Sequence, residues 1–135
     1  MNIRHFIQTA CLMLLAACGS MDYPAAARPH WQAGEAHWFQ LERLDEHGQV
    51  RQTSLLSVQG EADGNTRWVQ TDAFGAPQAR LIATEHGWRQ DGFARPNREA
   101  QQLFAALFPY LQSMDFRRPQ IINGWRIRLL EQTDS

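Results

Sequence analysis

The chain has 135 residues, of which 44% are apolar and 20% are charged, and its formal net charge is -1. This is the size of one globular domain, and the apolar fraction excludes a disordered or collagen-like chain. The balance of 13 basic and 14 acidic residues argues against nucleic acid as a main partner, because phosphate binding needs a basic face.

The N-terminal segment has the pattern of a bacterial secretory signal. Arg4 supplies a positive charge, and residues 10–17 (ACLMLLAA) form an apolar run. This run is too short to span a bilayer, which takes about 20 residues. Residues 15–19 (LAACG) resemble the lipobox of bacterial lipoproteins. The resemblance implies cleavage before Cys18, a diacylglyceryl thioether on its sulfur and a third acyl chain on the new amine.

Lipidation at Cys18 predicts a stable membrane anchor, since two or three acyl chains are released far more slowly than one. Gly19 stands where inner-membrane retention favours Asp, so we expect the outer membrane, on its periplasmic face. The alternative is a plain secretory signal that happens to precede a cysteine. Cys11 would leave with the signal and Cys18 would carry lipid. The mature chain would then have no thiol for disulfides, nucleophilic catalysis or metal binding.

Residues 18–34 are expected to form a flexible lipidated tether, because Pro24, Pro29 and the alanine run 25–27 follow no lasting period. Residues 35–131 are expected to form one β-rich domain, because the pattern changes to an alternation of apolar and polar positions from Ala36. Glycine-containing turns separate the expected strands, as in an antiparallel meander. These strands are predicted at 37–43, 50–59, 66–71, 78–85 and 88–93.

The period becomes helical after Asn97, a candidate N-cap residue. Apolar residues at positions 100, 103, 104, 107, 108 and 111 form one stripe, and Pro109 is expected to break or kink the helix near Phe108. Asn123-Gly124 predicts the turn of a closing hairpin within 121–129, followed by a frayed tail at 132–135. The expected fold class is mainly β with α (α+β). We expect an incomplete antiparallel β-barrel of about six to seven strands, wrapped around one amphipathic helix.

Three parts of the chain resemble the LolB family of outer-membrane lipoprotein receptors and related small lipoproteins. They are residues 68–81 (WVQTDAFGAPQARL), a glycine-containing hairpin at 86–88 and the amphipathic helix. The resemblance implies an unclosed barrel over helices, with a hydrophobic cavity that accepts acyl chains. It also places Phe74 where the family carries an exposed leucine on a protruding loop, which helps to put acyl chains into the membrane. Ala73 replaces the usual proline, and the shorter chain favours a specialised relative.

Two features have alternative interpretations in the sequence. Phe74 is either exposed towards a bilayer or folded back onto the core as a plug. The space between sheet and helix is either an open lipid cavity or a fully packed core. In the first case, the predicted cavity walls are Leu56, Val58, Trp68, Leu81, Leu103 and Leu107.

The sequence favours a binding protein over an enzyme. His30, Glu35 and His37 lack the spacing of metal ligands, and hydrolase and phosphate-loop motifs are absent, so we expect no catalysis, metal or cofactor. The leading hypothesis is an outer-membrane lipoprotein that binds a lipid or lipoprotein acyl chain and assists its transfer or insertion. A periplasmic carrier protein is a candidate partner. The alternative is a structural lipoprotein that tethers a partner complex at the outer membrane.

Overall fold

The computed structural model describes residues 31–92, 95–113 and 116–130. The expected signal, Cys18, most of the tether and the tail at 132–135 lie outside these residues. None of the helical segments within the described ranges is long and apolar enough to cross a membrane.

The described residues form a seven-stranded antiparallel sheet and one long helix. The elements are β1 (Ala36–Leu44), β2 (Val50–Gly60), β3 (Thr66–Asp72), β4 (Pro77–Thr84), β5 (Gly87–Gln90), α1 (Arg98–Gln112), β6 (Gln120–Ile122) and β7 (Trp125–Leu129). The strand order is β5-β4-β3-β2-β1-β7-β6, so β5 and β6 are the two edges of an open sheet. The predicted α+β class, an incomplete barrel with one helix, is confirmed.

Strand register gathers the apolar side chains on one face of the sheet. Phe39 lies opposite Leu56, and Trp68 pairs with Val58 on one side and Leu81 on the other. Because side chains alternate along a strand, this register places all five on the inner face. The helix α1 covers that face with its own apolar stripe, and together they form the core.

The helix begins where the sequence predicts and ends later than expected. The Asn97 side chain accepts a hydrogen bond from the backbone N–H of Ala100 at 3.1 Å and caps the first turn. Of the break or kink expected near Phe108, the break is wrong, because α1 continues through Pro109 to Gln112. Proline removes one backbone N–H donor. The buried Tyr110 nevertheless holds the last turn in place, since its hydroxyl donates to the Phe116 carbonyl at 2.8 Å.

Two turns define the ends of the edge strands. Asn123 and Gly124 both have positive φ angles, 51° and 79°, in the turn between β6 and β7. The predicted Asn-Gly hairpin is therefore confirmed. The strand β5 ends at Gln90, earlier than expected. Gly92 follows with a φ of 78°, which is incompatible with an extended strand.

The chain from Trp31 to Gly34, which the sequence assigns to the tether, packs on the domain. The backbone N–H of Gly34 donates to the Gly60 carbonyl at 2.9 Å, and the N–H of Gly60 donates to the Glu35 carbonyl at 2.8 Å. The Trp31 ring lies 6.1 Å from that of Phe116. These contacts position the start of the domain beside the last residue of β2.

Candidate functional site

The antiparallel topology places the strand connections at two opposite ends of the sheet. We call the upper end the one that carries the turns 45–49, 73–76 and 123–124. The start of α1 lies there too, because Asn97 Nδ2 donates to the Gln78 carbonyl at 3.2 Å. The lower end carries the turns 61–65 and 85–86 and the segment 31–34.

Phe74 lies at the tip of the β3–β4 turn and is 96% exposed. Its neighbours from Ala73 to Pro77 are exposed as well, and none of them is ionisable. Asp72, at the base of the turn, accepts hydrogen bonds on Oδ1 from the backbone N–H groups of Phe74 and Ala76, both at 2.9 Å. This carboxylate is therefore directed at the backbone. We call residues 73–77 the apolar tip.

The β1–β2 turn shows that an apolar ring is not needed for this conformation. Asp45 Oδ1 accepts from the backbone N–H groups two and four residues later, as Asp72 does, and His47 occupies the position that Phe74 has in its turn. Both turns close with a glycine of positive φ. Of the two predicted orientations of Phe74, the exposed one is observed. Packing within the domain therefore does not explain why a phenylalanine stands at this position.

The six residues predicted as cavity walls come together between the sheet and α1. Four of them are fully buried, and Leu81 and Leu103 are 2% exposed. Aromatic rings occupy the space around Trp68, with the Phe104 and Trp88 ring centroids 5.4 and 5.0 Å away. Sequence reasoning thus identified a real cluster, which has the dense packing of a protein core.

Sequence reasoning missed a cleft at the upper end of the sheet, between the first turns of α1 and the strand ends. An inner cavity of about 30 Å³ and an outer one of about 270 Å³ share Glu99, Leu103 and Trp125 as walls. We call them together the amide cleft. The inner part is otherwise lined by Gln52, Gln70, Gln78, Asn97 and Ala100. The outer part is otherwise lined by Arg43, Gln102 and Asn123.

The amide cleft contains a short polar network. Ser54 Oγ donates to Gln78 Oε1 at 3.2 Å, and Gln52 Nε2 donates to Ser54 Oγ at 3.5 Å. Gln70 is 4% exposed, and its Oε1 accepts no hydrogen bond from the described residues. In the outer part, Arg43 Nη1 lies 2.8 Å from Oε1 of Glu99, which lines both parts. The sequence signal for this site is a glutamine at an inward position of β3, where the alternation calls for an apolar residue.

Several other titratable groups are paired with neighbours. Glu35 Oε1 lies 3.1 Å from His37 Nε2, and the pKa of Glu35 is lowered, first by the backbone N–H of Gln32 and then by His37. Asp91 Oδ2 lies 3.3 Å from Arg80 Nη2 and 3.4 Å from Arg67 Nε. Within the described ranges, no three His, Cys, Asp or Glu side chains are grouped so that they could hold a metal ion. His30 lies outside those ranges.

Comparisons of the chain with protein-family models, with curated proteins and with solved structures all found no match. The resemblance of residues 68–81 to the LolB family therefore stays a prediction. Three features of this chain bear on its function: the apolar tip, the buried cluster between sheet and helix, and the amide cleft.

Proposed function

We propose that this protein is an outer-membrane lipoprotein, anchored through Cys18 on the periplasmic face, that binds a lipid or lipoprotein acyl chain between sheet and helix. It assists the transfer or insertion of that chain at the outer membrane. The observation that carries the proposal is Phe74, a large apolar ring that is 96% exposed on a turn whose conformation does not require it.

The apolar tip suits contact with a bilayer. Moving a phenylalanine side chain from water into an apolar phase is favourable by about 1.5–3 kcal/mol. Residues 73–77 add no ionisable group that would have to be desolvated, and the Asp72 carboxylate is already bonded to the turn backbone. Insertion of the tip therefore costs little electrostatic energy.

The buried cluster offers the acyl chain a surface of matching chemistry. Leu81 on β4 and Leu103 and Leu107 on α1 belong to one buried cluster, so a chain entering between sheet and helix would replace apolar contacts with apolar contacts. Burial contributes about 0.8 kcal/mol per CH₂ group. Release then requires an equally apolar destination, which the membrane under the tip supplies.

The test compares Phe74→Glu with the matched variant His47→Glu, both made in the unlipidated Cys18→Ala protein. We expect Phe74→Glu to keep the free energy of unfolding within about 0.5 kcal/mol, since the ring is exposed. Binding to phosphatidylethanolamine–phosphatidylglycerol vesicles and delivery of a fluorescent acyl probe to them should fall several-fold. His47→Glu should change neither. Equal vesicle binding and delivery by the two variants would refute the role of the tip.

The dense packing around Trp68 favours a second candidate, a structural lipoprotein that tethers a partner complex at the outer membrane. Native mass spectrometry of the Cys18→Ala protein, purified without detergent from its own host, separates the two functions. A co-purifying lipid that delipidation removes would support the acyl-chain binder. An empty protein that also rejects fluorescent acyl probes would support the tethering function instead.

A further inference from the structure

We propose that the amide cleft binds a neutral, hydroxyl-bearing group, either the polar headgroup of a lipid or a free polyol. This site adjoins the apolar cluster and shares Leu103 with it. Its lipid form rests on the proposed function, because the headgroup would belong to the lipid whose chain enters the core. The inference depends on one side chain above all, the buried Gln70.

Gln70 lies in an apolar layer of the sheet. Its register neighbours on the inner face are Leu56 on β2 and Ala79 on β4, and Trp68 precedes it on the same face of β3. Its Oε1 is buried without a hydrogen-bond donor from the described residues, and the side chain lines the inner cavity. A buried acceptor of this kind lowers stability unless something donates to it, so a ligand hydroxyl has a ready partner here.

The lining indicates the charge of the ligand. Gln52, Gln70 and Gln78 contribute neutral amides, which both donate and accept hydrogen bonds, as hydroxyl groups do. The cleft has two charged side chains, Arg43 in its outer part and Glu99 along both parts, and they pair with each other. A charged ligand would find no uncompensated counter-charge among the lining residues, whereas a neutral polyhydroxyl group matches the amides.

The dimensions of the cleft fit a small amphiphile. The inner cavity, about 30 Å³, has room for one hydroxyl group of about the size of a water molecule. The outer cavity, about 270 Å³, takes the remainder of the group. Leu103 and Trp125 form an apolar wall along both parts, against which C–H groups can pack.

The position of the cleft connects it with the membrane. Phe74 follows Gln70 by four residues and precedes Gln78 by four, so the β3–β4 hairpin supplies both the apolar tip and two of the cleft amides. Both features belong to the upper end of the sheet. A lipid leaving the bilayer at the tip would therefore have its polar group beside the cleft.

The experiment titrates the Cys18→Ala protein with three probes: 1-monolauroylglycerol, methyl laurate and glycerol. The two esters have the same acyl chain and differ in the alcohol, which is glycerol with two free hydroxyls in one and methanol in the other. We expect 1-monolauroylglycerol to bind about tenfold tighter than methyl laurate, a difference of about 1.4 kcal/mol. We also expect it to shift the side-chain amide NMR signals of Gln70 and Gln78.

The Gln70→Met variant should bind both esters equally, with unfolding stability equal to or above that of the parent protein. Gln59→Leu, on the outer face, should behave like the parent.

The probes separate the outcomes. If glycerol alone shifts the same amide signals, the cleft recognises a free polyol. If only 1-monolauroylglycerol shifts them, the cleft recognises a lipid headgroup.

Equal binding of the two esters with unmoved amide signals would overturn the cleft proposal and leave acyl binding intact. If no probe shifts the amide signals, the amide cleft holds only solvent, and the cleft proposal is also overturned. Binding of glycerol without either ester would uphold the cleft and count against the acyl-chain function. Should Gln70→Met not fold, the probe comparison on the parent protein decides.

Discussion

Asp45 and Asp72 make the same pair of hydrogen bonds in two different hairpins. In each turn Oδ1 accepts from the backbone N–H groups two and four residues later, and all four distances are 2.9 Å. The two turns thus have one backbone design and differ in the side chain at the tip, His47 in one and Phe74 in the other. The comparison indicates that the aspartate sets the conformation of the turn, whereas the side chain at the tip is free to serve contacts outside the domain.

The aspartate, not the aromatic ring, should stabilise the β3–β4 turn. Asp72→Ala removes the Oδ1 acceptor of both hydrogen bonds, and we expect it to lower the free energy of unfolding by about 1–3 kcal/mol, from roughly 0.5–1.5 kcal/mol per hydrogen bond. Asp72→Asn keeps an acceptor oxygen and should lose less than half as much. Urea denaturation measures both. A destabilisation by Phe74→His as large as that of Asp72→Ala would contradict this assignment.

Asp45 should make stability depend on pH on the acid side. The backbone N–H of Gln49, and then that of His47 and the Arg51 side chain, lower the pKa of Asp45 below its ordinary value of 3.8. Because the folded state favours the carboxylate, this stabilisation is fully present above pH 3.8 and is lost as the pH falls through the lower folded pKa.

The Asp45→Asn variant tests this pH dependence. Melting temperatures measured between about pH 2 and 6 should fall less steeply towards acid in the variant than in the parent protein. The curves should differ most above the ordinary aspartate pKa and converge at the lowest pH. Parallel curves over the whole range would show that Asp45 does not contribute to the loss of stability at acid pH.

The Trp68 indole depends on a hydrogen bond inside the core. Its Nε1 donates to Thr66 Oγ1 at 2.8 Å, and both side chains are buried. Thr66→Val keeps the shape but leaves the indole N–H without its acceptor, and we expect a loss of about 1–3 kcal/mol in unfolding free energy. In a Trp68→Phe background the same substitution should cost much less. Equal costs in the two backgrounds would mean that the bond does not stabilise the fold.

Gly60 should be needed for the contact between the sheet and the start of the domain. A Cβ atom built at this position would lie 2.3 Å from the Gln32 carbonyl oxygen, so Gly60→Ala has to displace that backbone. We expect a loss of about 1–3 kcal/mol, as for other overpacked sites. Hydrogen exchange at the Gly34 amide, which donates to the Gly60 carbonyl, should accelerate. The exposed neighbour Gln59→Ala serves as control and should leave that exchange rate unchanged.

Much of the architecture could be predicted from local patterns. The alternation around Phe39 and Leu41 marks a strand with one buried face, and the stripe through Leu103 and Leu107 marks a helix that covers it. Asn97 caps that helix as expected. These features follow from periods and from bonds between near neighbours in the chain, which a single sequence contains in full.

Other features depend on residues far apart in the chain, and only the tertiary structure decided them. Pro109 lies within α1, because buried contacts of Tyr110 hold the last turn despite the missing donor. Trp31 packs near Phe116 although its segment resembles a tether.

Gln70 combines both kinds of information. Its inward position in β3 is visible in the alternation of the sequence. The lack of a donor for its Oε1 among the described residues follows from where β2, β4 and α1 place their side chains. Hydrogen bonding and burial at such a site depend on contacts between residues far apart in the chain, and the local periodicity of the sequence carries no information about those contacts.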